Sequence, residues 1–360
     1  MPTIDIPTHR LYNQHLLGPK FETPVEVVSQ LGAMQAQDYA GAKWAVAQRT
    51  TGLTDTDLDR ALADGSILRT HVMRPTWHFV TPADIRWLLA LTAPRVKAAG
   101  ASRWRQLGLD EALFKRSNAA LIKALRDGDQ LTRLELAAAL DRAGIAMDVE
   151  QRSSHILMRA ELDGLICSGG RRGKQFTYAL LDERAPAAKS LPRDEAVAEL
   201  TQRYFISHGP ATAQDFAWWS GLTLTDARRG LALVKARLRR EVVGDQDYWL
   251  AESDAPAQSP APIALLLPAF DEYTVAYADR SAVFDAAHPD QLDVRNAGLA
   301  LSQTVLIRGR IVGNWKRTVQ KNAVLMELNP FRPLTKIEQR AITQAAEQFG
   351  AFLGLPVVWA

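Results

Sequence analysis

Two glutamines spaced two residues apart, with an acid beside them, are the side chains here best suited to hold a reacting water. They stand in Gly32-Ala33-Met34-Gln35-Ala36-Gln37-Asp38-Tyr39. Each carboxamide offers an acceptor oxygen and an NH2 with two donors, so it can orient a water or hold a sugar oxygen. It cannot act as a general base at neutral pH, because an amide has no accessible proton equilibrium there. The same residues at a helix end also serve as solvated surface, and Asp38 as a partner for a nearby base. The apolar run from Val25 to Met34 has helical spacing, with Val27, Val28, Leu31 and Met34 on one stripe. The glutamines are therefore expected at the end of that helix, facing a cavity.

The elements that must position them begin with Thr23-Pro24-Val25-Glu26, a capped helix start with proline at its first position. A second helix is expected from about Gly41 to Arg49. A third is capped by Thr54 with Asp57 three on, runs through Leu58, Ala61 and Leu62, and ends at Gly65. Ile67 to Val80 then reads as two strands folded about Arg74-Pro75-Thr76. Three helices and a hairpin are the order of a winged helix, which gives a first unit over residues 1–100. A helix from Thr81 carries Trp87, Leu88, Leu89 and Leu91 and is expected to stop at Pro94. The basic stretch behind it (Arg95, Lys97, Arg103, Trp104, Arg105) is either a packed helix surface or a nucleic-acid contact.

The pattern recurs over 101–184. Thr132 and Glu135 form a capping box, a helix follows from Val149 to Leu165, and strands flank the basic turn Gly169-Gly170-Arg171-Arg172-Gly173-Lys174. Arginines at such a wing lie where phosphate is met, although a wing can also face solvent or another protein. A third repeat over 193–250 has an acidic tip at Gly244-Asp245, which favours a structural role. Short Pro-rich linkers, 185–192 and 251–261, bound this unit. Residues 262–360 turn to strands and close with a helix capped by Thr335, the sign of a β-rich, barrel-like C-terminal domain. Asp271 and Glu272 could suggest an acid pair, but beside a proline turn and near Arg280 a structural ion pair is the expectation. The fold class is thus mainly α with β wings.

The chain has 360 residues, 47% hydrophobic and 23% charged, enough for several cores. The net charge of +3 permits nucleic acid as a partner without demanding it. A single cysteine, Cys167, leaves no disulfide framework and no Cys-rich zinc site. No signal peptide and no apolar stretch long enough to span a bilayer is visible, so a cytoplasmic location and no membrane partner are expected. There is no Gly-x-Gly-x-x-Gly, Walker loop or His-Glu-x-x-His, so neither a nucleotide cofactor nor a metal is implied.

Four motifs together give this sequence its resemblance: Met34-Gln35-Ala36-Gln37, Met73-Arg74-Pro75-Thr76-Trp77-His78, Leu267-Pro268-Ala269-Phe270-Asp271-Glu272-Tyr273 and Val312-Gly313-Asn314-Trp315-Lys316-Arg317. The chain resembles the winged-helix bacterial DNA glycosylases of the AlkZ and YcaQ (AlkX) type. The resemblance implies tandem winged helices forming a concave scaffold for double-stranded DNA, plus a C-terminal β-domain; a monomer is expected. It also implies monofunctional excision of alkylated purines, N7-alkylguanines among them, with unhooking of interstrand cross-links in some members. The family's catalytic signature is Gln, an apolar residue, then Gln or Asp. Gln35-Ala36-Gln37 matches the Gln form of the AlkZ-like branch, so the broader range of Asp-bearing members is not carried over.

A glutamine site suits a leaving group that is already activated, and an N7-alkylpurine is cationic. Gln37 is expected to position the water and Gln35 to support it or the sugar. Asp38, Trp77 and His78 are candidate supports, His78 having an equal claim as a structural histidine. Arg69, Arg74, Arg171, Arg172 and Lys174 are the candidate phosphate contacts. The main competing reading is a non-catalytic winged-helix DNA-binding protein such as a regulator, and a second is a scaffold or protein-binding module with its wings packed against other domains.

Overall fold

The computed structural model describes residues 4–147, 151–186, 189–252, 263–284, 298 and 302–360. Much of the linker 251–261 and the expected start of a helix at Val149 lie outside the described residues. The chain forms two compact units. The first comprises residues 1–58, 198–219 and 223–360, and the second 59–197 with 220–222. The boundary near Leu58 falls within the span 1–100.

In the first unit the helix Pro24–Leu31 opens with a complete capping box: Thr23 Oγ1 accepts from Glu26 N, and the Glu26 carboxylate accepts from Thr23 N. Val27, Val28 and Leu31 are buried, as their spacing requires. The helix Tyr39–Ala47 follows. Further along, the helix Arg193–His208 (in this unit from Ala198), the helix Ala213–Ser220 (in this unit to Trp219) and the helix Leu224–Val234 lead into a hairpin of Arg239–Val243 and Gln246–Leu250.

The C-terminal part is an open sheet, not a barrel. Its strands run in the order Val357–Trp359, Val324–Pro330, Arg310–Val319, Thr304–Ile307, Ala264–Leu267. Neighbours are antiparallel except the last addition, Val357–Trp359, which pairs in parallel with Val324–Pro330. The two outermost strands do not pair with each other, and the helix Lys336–Leu353 packs beside Ala264–Leu267. The hairpin Thr304–Ile307 to Arg310–Val319 turns through Arg308 and Gly309, at φ 50° and 76°. Paired positive φ values match the right-handed twist of the strands. A Cβ on Gly309 would lie 2.7 Å from Tyr273 Oη, and that hydroxyl donates to Gly309 O at 2.8 Å. Two buried indoles fix the edge strand Ala264–Leu267: Trp44 Nε1 donates to Leu266 O at 2.7 Å and Trp315 Nε1 to Leu267 O at 2.8 Å.

In the second unit Leu68–His71 and Trp77–Val80 pair antiparallel, Leu68 opposite Val80 and His71 opposite Trp77. The following helix, Ile85–Gln106, does not stop at Pro94 but carries it inside. Proline cannot donate to the carbonyl four residues back. That residue, Ala90, is exposed, so water can serve its carbonyl. The basic stretch behind Pro94 is the end of this helix and is largely engaged within the unit. Arg95 Nε donates to Gly221 O, Lys97 pairs with Asp163 at 2.5 Å, and Trp104 packs edge-on against Phe114. The helices Glu111–Leu125, Arg133–Arg142 and Arg152–Leu162 share a core of Phe114, Leu121, Leu136, Leu140, Ile156 and Leu157. A sheet of Leu131–Thr132, Thr177–Leu180 and Ile166–Ser168 completes the unit.

Candidate active site

The glutamines do not sit at a helix end. Gly32, at φ 77°, stops the helix at Leu31, three residues before the stripe predicts. A positive φ suits glycine and breaks the helical run even where apolar spacing continues. Met34–Gln35 is a short strand. Ala33, Met34, Gln35 and Ala36 are buried, whereas Gln37 is exposed. Asp38 precedes the helix Tyr39–Ala47 without capping it through its side chain. Its carboxylate lies 3.8 Å from Arg317, the partnership with a base that its position suggests. Gly41 is needed beside it, since a Cβ there would stand 2.6 Å from Asp38 Oδ2 and 3.0 Å from Pro268. Three sequence motifs therefore meet at Asp38.

Beneath Gln35 lies the turn Pro268–Tyr273. Phe270 takes φ 62°, rare for a residue with a side chain, and Asp271 caps the short helix Glu272–Val275 by accepting from Tyr273 N. The two acids point inward and are 1% exposed. Asp271 is paired with Arg49, not Arg280. Arg49 Nη1 and Nη2 donate to its two oxygens at 3.0 and 2.9 Å. Arg280 instead donates to Thr274 O. Arg49 and Asp271 are 222 positions apart, beyond any local pattern.

Glu272 accepts from Gln35 N at 2.8 Å through Oε1 and from Trp219 Nε1 at 2.8 Å through Oε2. His208 Nε2 lies 3.4 Å from Oε2. Burial lowers the pKa of His208, Glu272 opposing it, so the ring is neutral near pH 7. Ser207 Oγ lies 2.7 Å from His208 Nδ1 and donates its own hydrogen to Arg203 O at 2.7 Å. Gln14 extends the network: it accepts from Arg49 Nη2 and donates to Tyr277 Oη, both at 2.9 Å. Tyr277 Oη in turn donates to His208 O at 2.7 Å.

A family model for the DNA glycosylase AlkZ-like group matches residues 28–352, which takes in the glutamine segment, both inward acids and Arg317. The chain belongs to the AlkZ-like DNA glycosylase family. This AlkZ-like chain is 27% identical over 341 residues to the interstrand DNA cross-link repair glycosylase of Streptomyces sahachiroi, an alignment covering 89% of this chain and 88% of that protein. Its fold matches the solved Streptomyces sahachiroi DNA glycosylase AlkZ with a TM-score of 0.80 at 24% identity, covering 99% of this chain and 98% of that one.

The remaining candidates of the AlkZ-like chain lie in the second unit. His78 is buried, and its Nδ1 donates to Thr76 O at 2.9 Å, which assigns that nitrogen its proton. Arg69 is also buried, its guanidinium 4.4 Å from the Trp77 ring and 4.5 Å from the Phe176 ring. Arg74 is half-buried at the hairpin turn. Arg171 lies 3.9 Å from Asp59, and Arg172 donates to Glu135 and to Gln130 O at 2.7 Å each. Lys174 is exposed in the turn between Ile166–Ser168 and Thr177–Leu180. Residues that local pattern reading does not single out are Gln14, Arg49, His208, Trp219 and Arg317. Among them only Arg317 falls in a quoted motif.

Proposed function

We propose that this glycosylase hydrolyses the N-glycosidic bond of cationic alkylated purines of the N7-alkylguanine type in double-stranded DNA, with Gln37 and Gln35 forming its water-holding site. The observation that carries the reading is the contrast within one triplet. Gln35 is buried and its backbone is held by Glu272, while Gln37, two residues on, is exposed. The strand ends at Gln35 and the chain bends at Gln37, so the held backbone of Gln35 is the anchor from which Gln37 projects.

Departure of a cationic base builds positive charge on the deoxyribose and needs no strong acid from the protein. The Gln37 carbonyl accepts from the attacking water and orients it, and the Gln35 amide supports the water or a sugar oxygen. The excision is monofunctional. A lyase step needs a free amine, and of the first unit's lysines half-buried Lys20 and buried Lys43 are engaged. Burial brings Lys20 down to about 7, yet its Nζ donates to His15 O, Leu16 O and Gln48 O at 2.6 to 2.9 Å. Lys43 pairs with Asp55 at 2.7 Å.

Tandem winged-helix units would carry the DNA over residues 1–100, 101–184 and 193–250, the second contributing Arg172 and Lys174 at its wing. Cross-link unhooking is part of the proposal, since the Streptomyces relative is named for cross-link repair. The test is single-turnover excision from duplex DNA carrying N7-methylguanine, comparing the parental protein with Gln37→Ala. Release by the parent and a fall of about 100-fold or more in the variant is expected, the scale of a lost orienting contact. A folded Gln37→Ala protein that excises at the parental rate would contradict the assignment.

A further inference from the structure

We propose that Glu272 is a positioning residue for excision: its buried carboxylate fixes the backbone of Gln35 and thereby the aim of Gln35-Ala36-Gln37. The inference rests on the reading of that triplet as the water-holding site.

Apart from the two-residue strand Met34–Gln35, the segment that needs fixing is irregular. It spans the gap between the helix end at Leu31 and the next helix start at Tyr39. Its buried backbone donors require partners inside the protein. At Gln35 that partner is a side chain 237 positions away. A carboxylate suits the task because N–H groups meet both of its oxygens, from Gln35 and from Trp219. A protonated acid would set an O–H against one of them.

The carboxylate is itself held from three sides. Trp219 is fully buried and backs the turn, its Cη2 lying 3.6 Å from where a Cβ on Gly32 would be. His208 stacks on Tyr204 with ring centroids 4.9 Å apart and an interplanar angle of 11°. Asp271, clamped by Arg49, fixes the start of the short helix that carries Glu272. Movement of this anchor shifts Gln35, and misplacement of a reacting group by about 1 Å costs on the order of 100-fold in rate.

In Glu272→Gln the side chain keeps its shape but offers one acceptor where two donors are aimed. In Trp219→Phe the ring remains and only the donor to Oε2 is lost. The experiment measures single-turnover release of N7-methylguanine at saturating protein, the half-saturating protein concentration, and thermal stability, for the parent and both variants. Expected are a fall of about 10- to 100-fold in the saturating rate for Glu272→Gln and a smaller fall for Trp219→Phe, with half-saturation unchanged within about twofold. A folded Glu272→Gln protein at the parental rate, or a loss confined to half-saturation, overturns the proposal. Should Glu272→Gln not fold, Trp219→Phe decides it, and a parental rate there overturns it. A parent that releases no base is a different result and refutes the reading of the triplet itself.

Discussion

Replacing Arg49 by Met removes the cation on which the inner wall of the site is assembled. Arg49 and Asp271 are both fully buried, and the guanidinium makes two donations to the carboxylate. It also donates to Ala45 O and Gln14 Oε1. Ala45 O depends on that bond, because Arg49 N turns to Val46 O at the end of the helix Tyr39–Ala47. Methionine fills similar space and leaves all these acceptors without their donor. Asp271 keeps Tyr273 N, which offsets only part of the loss.

Breaking one side of a buried ion pair costs about 3–5 kcal/mol. At 1.4 kcal/mol per factor of ten, this is roughly a 100- to 4,000-fold shift toward unfolding. Urea titration of Arg49→Met, followed by tryptophan fluorescence, should show that loss. Asp271→Asn in the Arg49→Met background should restore on the order of 2 kcal/mol, because the remaining charge is then gone. Excision should fall with Arg49→Met even below the unfolding transition, since Glu272 follows Asp271 directly. A loss under about 1 kcal/mol would refute the claim that this pair organises the site.

The surface candidates separate by burial. Lys174→Ala should lower the slope of log affinity for DNA against log salt by about one, with thermal stability unchanged, whereas buried Arg69→Ala should lower stability and leave the slope alone. An unchanged slope in Lys174→Ala, measured by fluorescence anisotropy, removes the wing from the DNA contact. At the C-terminal helix, two Arg332 hydrogen bonds hold the Glu338 carboxyl down at about 2, aided by Thr335, while burial opposes them. Because the folded pKa is depressed, the stabilisation is present above the unfolded value near 4.5 and is lost as pH falls toward 2. Glu338→Gln should flatten the decline of melting temperature across that window, and a decline as steep as the parent's would contradict the assignment.

What the sequence makes legible is what neighbouring residues decide. The capping boxes at Thr23 and Thr132 and the one at Thr335 each close over three positions, and each is found. The hairpins around Arg74-Pro75-Thr76 and Gly244-Asp245 also follow from local turn chemistry. The expectation fails where a local rule meets a distant contact or an exposed backbone. Pro94 stays in its helix because the carbonyl it abandons is on the wet side. The barrel expected from strand content opens because the last strand adds in parallel at one edge and does not return to Ala264–Leu267.

The candidate site divides along the same line. Its glutamines announce themselves by type and spacing, because a carboxamide pair carries its chemistry in its own atoms. The residues that aim them are silent in sequence, since an acid, an indole and an arginine mean nothing until folding brings positions 35, 219 and 272 within hydrogen-bond reach. Asp271-Glu272 illustrates this. Adjacent acids beside a proline suggest a pair with the nearest base in sequence, Arg280. Folding sends the first to Arg49 and the second to Gln35, one to hold the turn and one to hold the segment proposed to face the reaction. Two like charges can be buried side by side only because each has its own donors. That requirement ties the assembly of the wall to the aim of the glutamines.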